Sequence, residues 1–404
     1  MSFKKSYISS SHFCIIDIGS YKLRVCAASF LNKKIEILWY KEKRQDVSQF
    51  IHNECLNLQG LCSDISDCIS YLENEIWETF ENVIINYPFG ELFVSSKQIN
   101  YKRKTPSKWM TDWEIETILK STQKLCLGSL WSDIEKYYGY WQSETQIIFS
   151  RVNSLIIDGK AKKKLIWETG EHLKISLANG CIPKEKHTLI SQIWSVIGKN
   201  ISRILPSEYC TAKVLSEKNI LIINVWATQT TITIKKNGEV YGISKFAIGM
   251  NDLISRISSE QKLSRLEVMD DLGRDDFAQY RDTFLSSWWE SIWVTLWELL
   301  WERTCPKKVY LWGGGSNNDF LKEYLLNFPY ATYGVRHIWT TTFIREDMSS
   351  ILSHMRNINI DDIAKIPLDI YVLLLETRDI LHMEHDLISN SLKSAVKKLW
   401  YEWK

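Results

Sequence analysis

Short runs of apolar residues closed by polar turns alternate along the chain with stretches whose apolar positions recur every three or four residues. This alternation predicts an α/β architecture of strands backed by helices. Ile15 and Ile16 before a polar turn, and Leu23 and Val25 after it, predict a strand pair with Gly19 at its tip. Lys34 to Leu38 predicts a third strand. Over 64–80 the apolar residues Ile65, Cys68, Ile69, Tyr71, Leu72, Ile76 and Phe80 fall on one helical stripe, and Asn82 to Tyr87 follows as a buried strand.

From 91 to 169 the composition turns polar and basic, with a helix predicted over Thr111 to Leu125 and paired strands over Gln146 to Ser150 and Ser154 to Asp158. Leu173 to Ala178 then resumes the first domain as a strand, followed by a helix over His187 to Ile204. Leu221 to Val225 and Thr230 to Ile234 repeat the opening design of strand, polar turn and alternating strand. Glu239 to Ala247 predicts another strand, Gly249 opens a helix, and a long helix over Asp282 to Arg303 leads to the strand Val309 to Trp312. Ile370 to Leu375 reads as an apolar helix or strand.

The two turns and the glycine run carry the candidate chemistry. In the first turn Gly19 lets backbone N–H groups approach an anion. Ser20 adds a hydroxyl donor, Lys22 a cation, and Asp17 a carboxylate able to hold a hydrated Mg²⁺. The second turn, from Asn224 through Val225, Trp226, Ala227, Thr228 and Gln229 to Thr230, is rich in amides and hydroxyls. Gly313, Gly314, Gly315 and Ser316 then allow flat approach of a base or ribose to the backbone. Taken alone, the first turn reads as an ordinary hairpin with a polar tip; the repeat and the glycine run shift the reading towards phosphate.

At 404 residues and 45% apolar content the chain can bury more than one core. A net charge of +2 argues against a dedicated nucleic-acid binder. The nine cysteines include no C-x-x-C pair, which points to a reduced, cytoplasmic setting without a structural zinc. Lys102 to Lys104 and the cluster Lys160, Lys162, Lys163 and Lys164 read as a solvated face or an acidic-partner surface. At the end of the chain Leu392, Ala395, Val396, Leu399, Trp400 and Trp403 share a helical stripe, with Lys393, Lys397, Lys398 and Lys404 off it. Such a helix suits an anionic leaflet or docks on its own domain.

The order of phosphate turn, second phosphate turn and glycine run resembles the actin-like ATPases. Within them it resembles the bacterial cell-division FtsA proteins, with the pilus-assembly PilM adaptors as the nearest rival. The resemblance implies an actin-like ATPase fold with two lobes, each a mixed sheet backed by helices: a first lobe over 1–90 and 170–215, a small inserted α+β subdomain over 91–169, a second lobe over 216–385 and a C-terminal amphipathic helix over 386–404. It implies ATP and Mg²⁺ held by Asp17, Gly19, Ser20, Tyr21 and Lys22 and by Asn224, Trp226, Ala227, Thr228, Gln229 and Thr230. The adenosine would contact Asp270, Gly313, Gly314, Gly315 and Ser316. It further implies an FtsZ-like division polymer as partner, self-association into filaments, and attachment to the cytoplasmic membrane through Leu392, Val396, Leu399, Trp400 and Trp403; a PilM-like adaptor would not need that helix. Asn224 and Thr231 stand where the family carries aspartates, so binding with slow or absent hydrolysis is expected.

Trp, with 18 copies, outnumbers Gly, with 17. Trp39, Trp77, Trp226 and Trp339 stand where FtsA-like sequences carry glycine. Either UGA codons are read as glycine in the source organism, or the lineage is rich in Trp.

Overall fold

The computed structural model describes residues 12–19, 21–31, 34–45, 50–51, 54–86, 91–162, 164–300, 305–327, 340–341, 366–383, 390–392, 394 and 396. In chain order the elements begin with β1 (His12–Ile18), β2 (Lys22–Leu31), β3 (Lys34–Arg44), β4 (Phe50–Ile51), β5 (Glu54–Cys55), α1 (Leu58–Ile76), β6 (Asn82–Asn86), β7 (Phe93–Lys102) and α2 (Asp112–Tyr138). They continue with β8 (Thr145–Ile157), β9 (Lys160–Lys162), β10 (His172–Pro183), α3 (Lys184–Ile197), β11 (Asn200–Leu205), α4 (Ser207–Val214), β12 (Ile220–Val225), β13 (Thr230–Lys236) and β14 (Glu239–Phe246). The last are α5 (Met250–Gln261), α6 (Arg265–Asp270), α7 (Ala278–Leu300), β15 (Lys308–Trp312), α8 (Asp319–Asn327), β16 (Thr340–Thr341) and α9 (Leu368–Met383).

The chain divides into two compact bodies, one formed by Met1–Gly90, Ile193–Gly238 and Gly242–Leu373, the other by Glu91–Gln192, Glu239–Tyr241 and Leu374–Lys404. The first body holds a mixed sheet in the order β11-β6-β1-β2-β3. β1 runs antiparallel to β2 and parallel to β6, and Asp17 lies directly opposite Arg24. The same body carries the strand order β16-β15-β12-β13-β14, in which β12 is antiparallel to β13 and parallel to β15. Ile15, Ile16, Leu23 and Val25 are fully buried, as are Leu221 and Ile223 in β12. Each such side chain contributes roughly 2 kcal/mol through the area it removes from water. These two apolar layers fix the strand ends, and therefore the turns, on a rigid base.

α1 begins earlier than its apolar stripe suggests, because the Asn57 side chain accepts from Gly60 N and caps the helix at Leu58. It packs Leu61, Ile65, Ile69 and Leu72 inward. The predicted third strand extends to Arg44. The long apolar helix before the glycine run is α7, where Trp288 and Trp289 are buried while Trp297 is exposed.

In the second body β7, β10, β8 and β9 pair in that order, all antiparallel, and α2 lies on β7 and β10. Three expectations are corrected here. Gln146 to Asp158 is not a hairpin: β8 is one strand that follows β10 across two bulges, and the turn falls at Asp158-Gly159. Leu173 to Ala178 belongs to β10 and pairs within the second body, while the predicted helix over His187 to Ile204 ends at Ile197 and gives way to β11. The core of this body gathers Met110, Ile115, Ile118, Leu155, Leu173 and Ile175 together with Leu392.

Two tryptophans occupy the left-handed region that favours glycine. Trp77 has φ 57° at the C-cap of α1 and is 94% exposed, and its N–H and that of Glu78 both donate to Glu73 O. Trp167 has φ 62° inside the turn closed by Glu168 N and Leu165 O, and is 65% exposed. Trp39 sits beside the β2–β3 bulge, and Trp339 lies outside the described residues. A left-handed L-residue costs roughly 1–2 kcal/mol, which glycine avoids. Trp77→Gly is therefore expected to raise the unfolding free energy by about 1 kcal/mol in urea titrations. A loss of stability would show that the indole is held by contacts that outweigh the backbone cost.

Candidate functional site

The site is assembled within the first body from the C-terminal ends of β1 and β12 and the loop after β15. Both strand ends lead into turns of one form. Gly19 N donates to Lys22 O at 3.0 Å, and Trp226 N donates to Gln229 O at 2.9 Å, so Trp226 occupies the place that Gly19 holds in the first turn. A Cβ on Gly19 would lie 3.0 Å from Lys22 O, a tight approach to backbone.

Asp17 at the end of β1 is 1% exposed, and both its oxygens are engaged. Oδ2 accepts from Arg24 Nη1 at 2.6 Å and Oδ1 from Asn86 Nδ2 at 2.7 Å. Asn86 Oδ1 in turn accepts from Ser207 N at 2.9 Å, fixing the start of α4 against the same strand end. The next residue, Glu208, is buried and pairs with Lys245 Nζ at 3.0 Å. Lys22, the cation expected at phosphate, instead meets Glu42 at 2.5 Å on the half-exposed side of β2 and β3. Tyr21 accepts from Arg44 and stacks beneath its guanidinium. Ser20 lies outside the described residues.

The second turn and the glycine run meet directly. Gly313 has φ 85°, and a Cβ there would fall 2.3 Å from Asn224 Oδ1 and 2.6 Å from Val225 O, so only glycine fits. A Cβ on Gly315 would strike the side chains of Val225 and Met250, whereas Gly314 faces open space. Asn224 Oδ1 and Trp226 Nε1 are buried without a hydrogen-bond partner among the described residues. Asn224 Oδ1 lies beside the glycine loop, 2.3 Å from an added Cβ on Gly313, and is the kind of orphan acceptor that a bound ligand satisfies.

Several residues expected at phosphate are committed elsewhere. The Thr230 hydroxyl donates to Ile248 O and accepts from Trp288 Nε1, and the residue is fully buried. The carbonyls of Trp226 and Ala227 accept from Met250 N and Asn251 N, so the turn caps α5 and occupies its first free donors. Thr228 and Ala227 are half-buried and Gln229 is buried. Asp270 is exposed at the last residue of α6. Of the membrane stripe, Leu392 is 3% exposed in the core of the second body, Val396 is half-buried, and Leu399, Trp400 and Trp403 lie outside the described residues.

One acid joins the two halves of the site. Asp369 in the first turn of α9 accepts from Trp312 Nε1 at 2.9 Å, one residue before Gly313, and it interacts electrostatically with Asp17, Arg24 and Glu208. Burial, then the charge of Asp17, pushes its carboxyl up to about 7, against the opposing pull of Arg24 and the Trp312 hydrogen bond. Burial works against the Arg24 charge, but Asp17 and then Asp369 more than compensate and raise its pKa above the ordinary arginine value.

Arg24, Asn86, Glu208 and Asp369 were missed in the sequence. A signal existed for Arg24 alone: counting outward from the turn pairs Ile18 with Leu23, and then Asp17 with Arg24.

No family model matches the chain, and no curated protein matches its sequence. Among solved structures the chain is similar to a PilM-PilN type IV pilus biogenesis complex, at 14% identity and a TM-score of 0.57, over 91% of this chain and 98% of that one. It also matches ethanolamine utilization protein EutJ from Carboxydothermus hydrogenoformans, at 8% identity and a TM-score of 0.44, over 83% and 85% of the two chains. A third match is a Bacteroides thetaiotaomicron protein with actin-like ATPase fold and unknown function, at 11% identity and a TM-score of 0.39, over 85% and 96%. The chain has the actin-like ATPase fold, with two mixed sheets backed by helices in its first body.

Asp369 titrates near 7 when folded and at 3.8 in a freely solvated side chain, so the folded state binds the extra proton between those values and stability falls as pH rises through that window. Asp369→Asn removes the fall. The difference in unfolding free energy, variant minus parent, is expected to grow from pH 4 to pH 7 and then level off. A difference independent of pH would contradict the assignment.

Proposed function

We propose that the chain is a nucleotide-binding adaptor of the PilM kind: it binds ATP with Mg²⁺ at the paired turns, hydrolyses it slowly or not at all, and serves as a cytoplasmic component in assembling a pilus machine. The observation that carries nucleotide binding is the meeting of Gly313 with Asn224 and Val225, which sets a glycine-only loop against the second of two matching turns. The likeness over 98% of a PilM-complex chain favours the adaptor role.

In this reading the triphosphate lies against the N–H groups of the Gly19 turn and of the turn from Trp226 to Gln229. Arg24 is a cation at the first strand end, held there by Asp17 at 2.6 Å. Asp17 and Asn224 would hold a hydrated Mg²⁺ through their side-chain oxygens, and such an ion would supply neutralisation of phosphate charge. Glu208 is the buried carboxylate that would orient water, and it is held by Lys245 Nζ at 3.0 Å.

A second reading, an FtsA-like scaffold tethering an FtsZ-like polymer to the membrane and forming filaments, draws on the stripe ending at Leu399, Trp400 and Trp403. Burial of Leu392 removes the first residue of that stripe and weighs towards the adaptor.

Titration calorimetry with Mg·ATP tests the reading. The parent chain is expected to bind. Arg24→Ala is expected to weaken binding at least tenfold, as loss of a charge-assisted contact of about 1.5–3 kcal/mol predicts. Gly313→Ala is expected to abolish binding, and steady-state turnover should stay below about 1 s⁻¹. No heat from the parent chain at millimolar ATP would overturn it.

A further inference from the structure

The second body displays an aromatic patch that the nucleotide site does not use. Trp109, Trp113 and Trp167 are 62%, 77% and 65% exposed. Trp109 and Trp167 stand edge to face with ring centroids 5.5 Å apart, and Trp113 follows in the first turn of α2. The three indoles leave roughly 400 Å² of mostly apolar surface open, a size at which a patch marks an interaction site. The loops that carry them are held firmly. Arg103, buried just beyond β7, pairs with Glu114 through Nε and Nη2, both at 2.8 Å, and donates to the carbonyls of Lys108 and Gly170 at 3.0 Å. Gly170 N donates to Pro106 O and Met110 N to Glu168 O, both at 2.9 Å, so the Trp109 loop is tied to the Trp167 loop. Met110 shares a core with Ile115, which fixes how the chain enters α2.

The charges around the indoles are unevenly matched. Glu114 is engaged by Arg103, Glu168 by Lys162 at 2.6 Å and Glu171 by Lys102 at 3.0 Å, while Asp158 accepts from His172 N at 2.8 Å. Among the described residues that leaves Lys104 and Lys108 in the first loop, Lys164 in the second and Lys160 on β9, all exposed, against Asp112 and Glu116 on α2. We propose that these loops are a membrane contact: the indoles enter the headgroup layer of an anionic leaflet, and the four lysines lie against its phosphates. Charge complementarity selects an acidic occupant. Side chains this exposed stand out from the surface rather than line a groove. That suits a soft planar surface which they can enter, and not a folded acidic segment, which needs a concave seat. Trp rings settle at the headgroup level and lysines in the negative potential of the leaflet. The contact does not depend on nucleotide binding, nor on the C-terminal stripe, whose Leu392 lies in the core.

Co-sedimentation of the whole chain with lipid vesicles tests the proposal. The parent is expected to partition onto vesicles of phosphatidylcholine with phosphatidylglycerol, to stay in solution with phosphatidylcholine alone, and to bind less at high salt. Trp109→Ala combined with Trp113→Ala is expected to lower the partition coefficient at least about tenfold. Lys104→Gln combined with Lys164→Gln is expected to lower it by about tenfold or more, since each basic residue near a leaflet contributes a factor of about five. Trp167→Gly suits the left-handed backbone at φ 62°, so it keeps the fold, and is expected to lower partitioning at least about threefold. Circular dichroism checks that each variant is folded. A parent chain that ignores anionic vesicles would overturn the proposal. So would partitioning that all three variants retain, which would trace the contact to the C-terminal stripe. Retention of the parent on an immobilised poly-glutamate peptide, without vesicle binding, would also overturn it and place an acidic protein on this face instead.

Discussion

A buried carboxylate at the end of an apolar strand is tolerable only if its charge is matched and its oxygens are bonded. Asp17 meets that condition through Arg24 across the hairpin and Asn86 on the neighbouring parallel strand. The consequences spread outward. Asn86 also accepts from Ser207 N, so the same network sets the start of α4 and with it Glu208. Arg24 is held over the strand end rather than released to solvent, and its raised basicity keeps it charged at any physiological pH. Removing either partner would strand a charge in a layer flanked by fully buried Ile15, Ile16 and Val25.

The second half of the site is held by shape rather than charge. Asn224, Val225 and Met250 leave no room for a side chain at Gly313 or Gly315, and an added Cβ on Gly249 would lie 2.5 Å from Ala227 O. The turn between β12 and β13 is consequently tied at both ends, by Trp226 N to Gln229 O and by its carbonyls to the start of α5. A loop fixed in this way loses little entropy when a ligand orders it further. Asp369 accepts from Trp312 beside the packed half and interacts electrostatically with Asp17 and Arg24 in the other.

The repeat of turn, turn and glycine run was legible because apolar strands and glycines announce themselves locally, and both hairpins form where the pattern placed them. What escaped was decided by partners distant in sequence. Lys22 and Arg24 point to the same face two residues apart, and only the register opposite Asp17 selects Arg24. Asp369 is brought to Trp312 by a helix whose apolar residues read equally as strand. Thr230 looks like a phosphate hydroxyl in the sequence, yet its oxygen is consumed by Ile248 and Trp288. β10 reads as the return of the first lobe, but its register pairs it with β7 and β8, since alternation specifies a strand and not its neighbours. Leu392 satisfies an amphipathic stripe while packing into a core, because a stripe says that a face is covered and not by what.

Asp17 and Arg24 form a preassembled pair, which under the proposed function a phosphate would share. A crystal structure of the chain soaked with Mg²⁺ and a non-hydrolysable ATP analogue tests it most directly. Phosphate density is expected between the Gly19 turn and the turn from Trp226 to Gln229, with the Arg24 guanidinium in contact with it and the Asp17–Arg24 bond lengthened or broken. Analogue bound elsewhere, or bound here with Arg24 still closed on Asp17 and out of reach of phosphate, would contradict it.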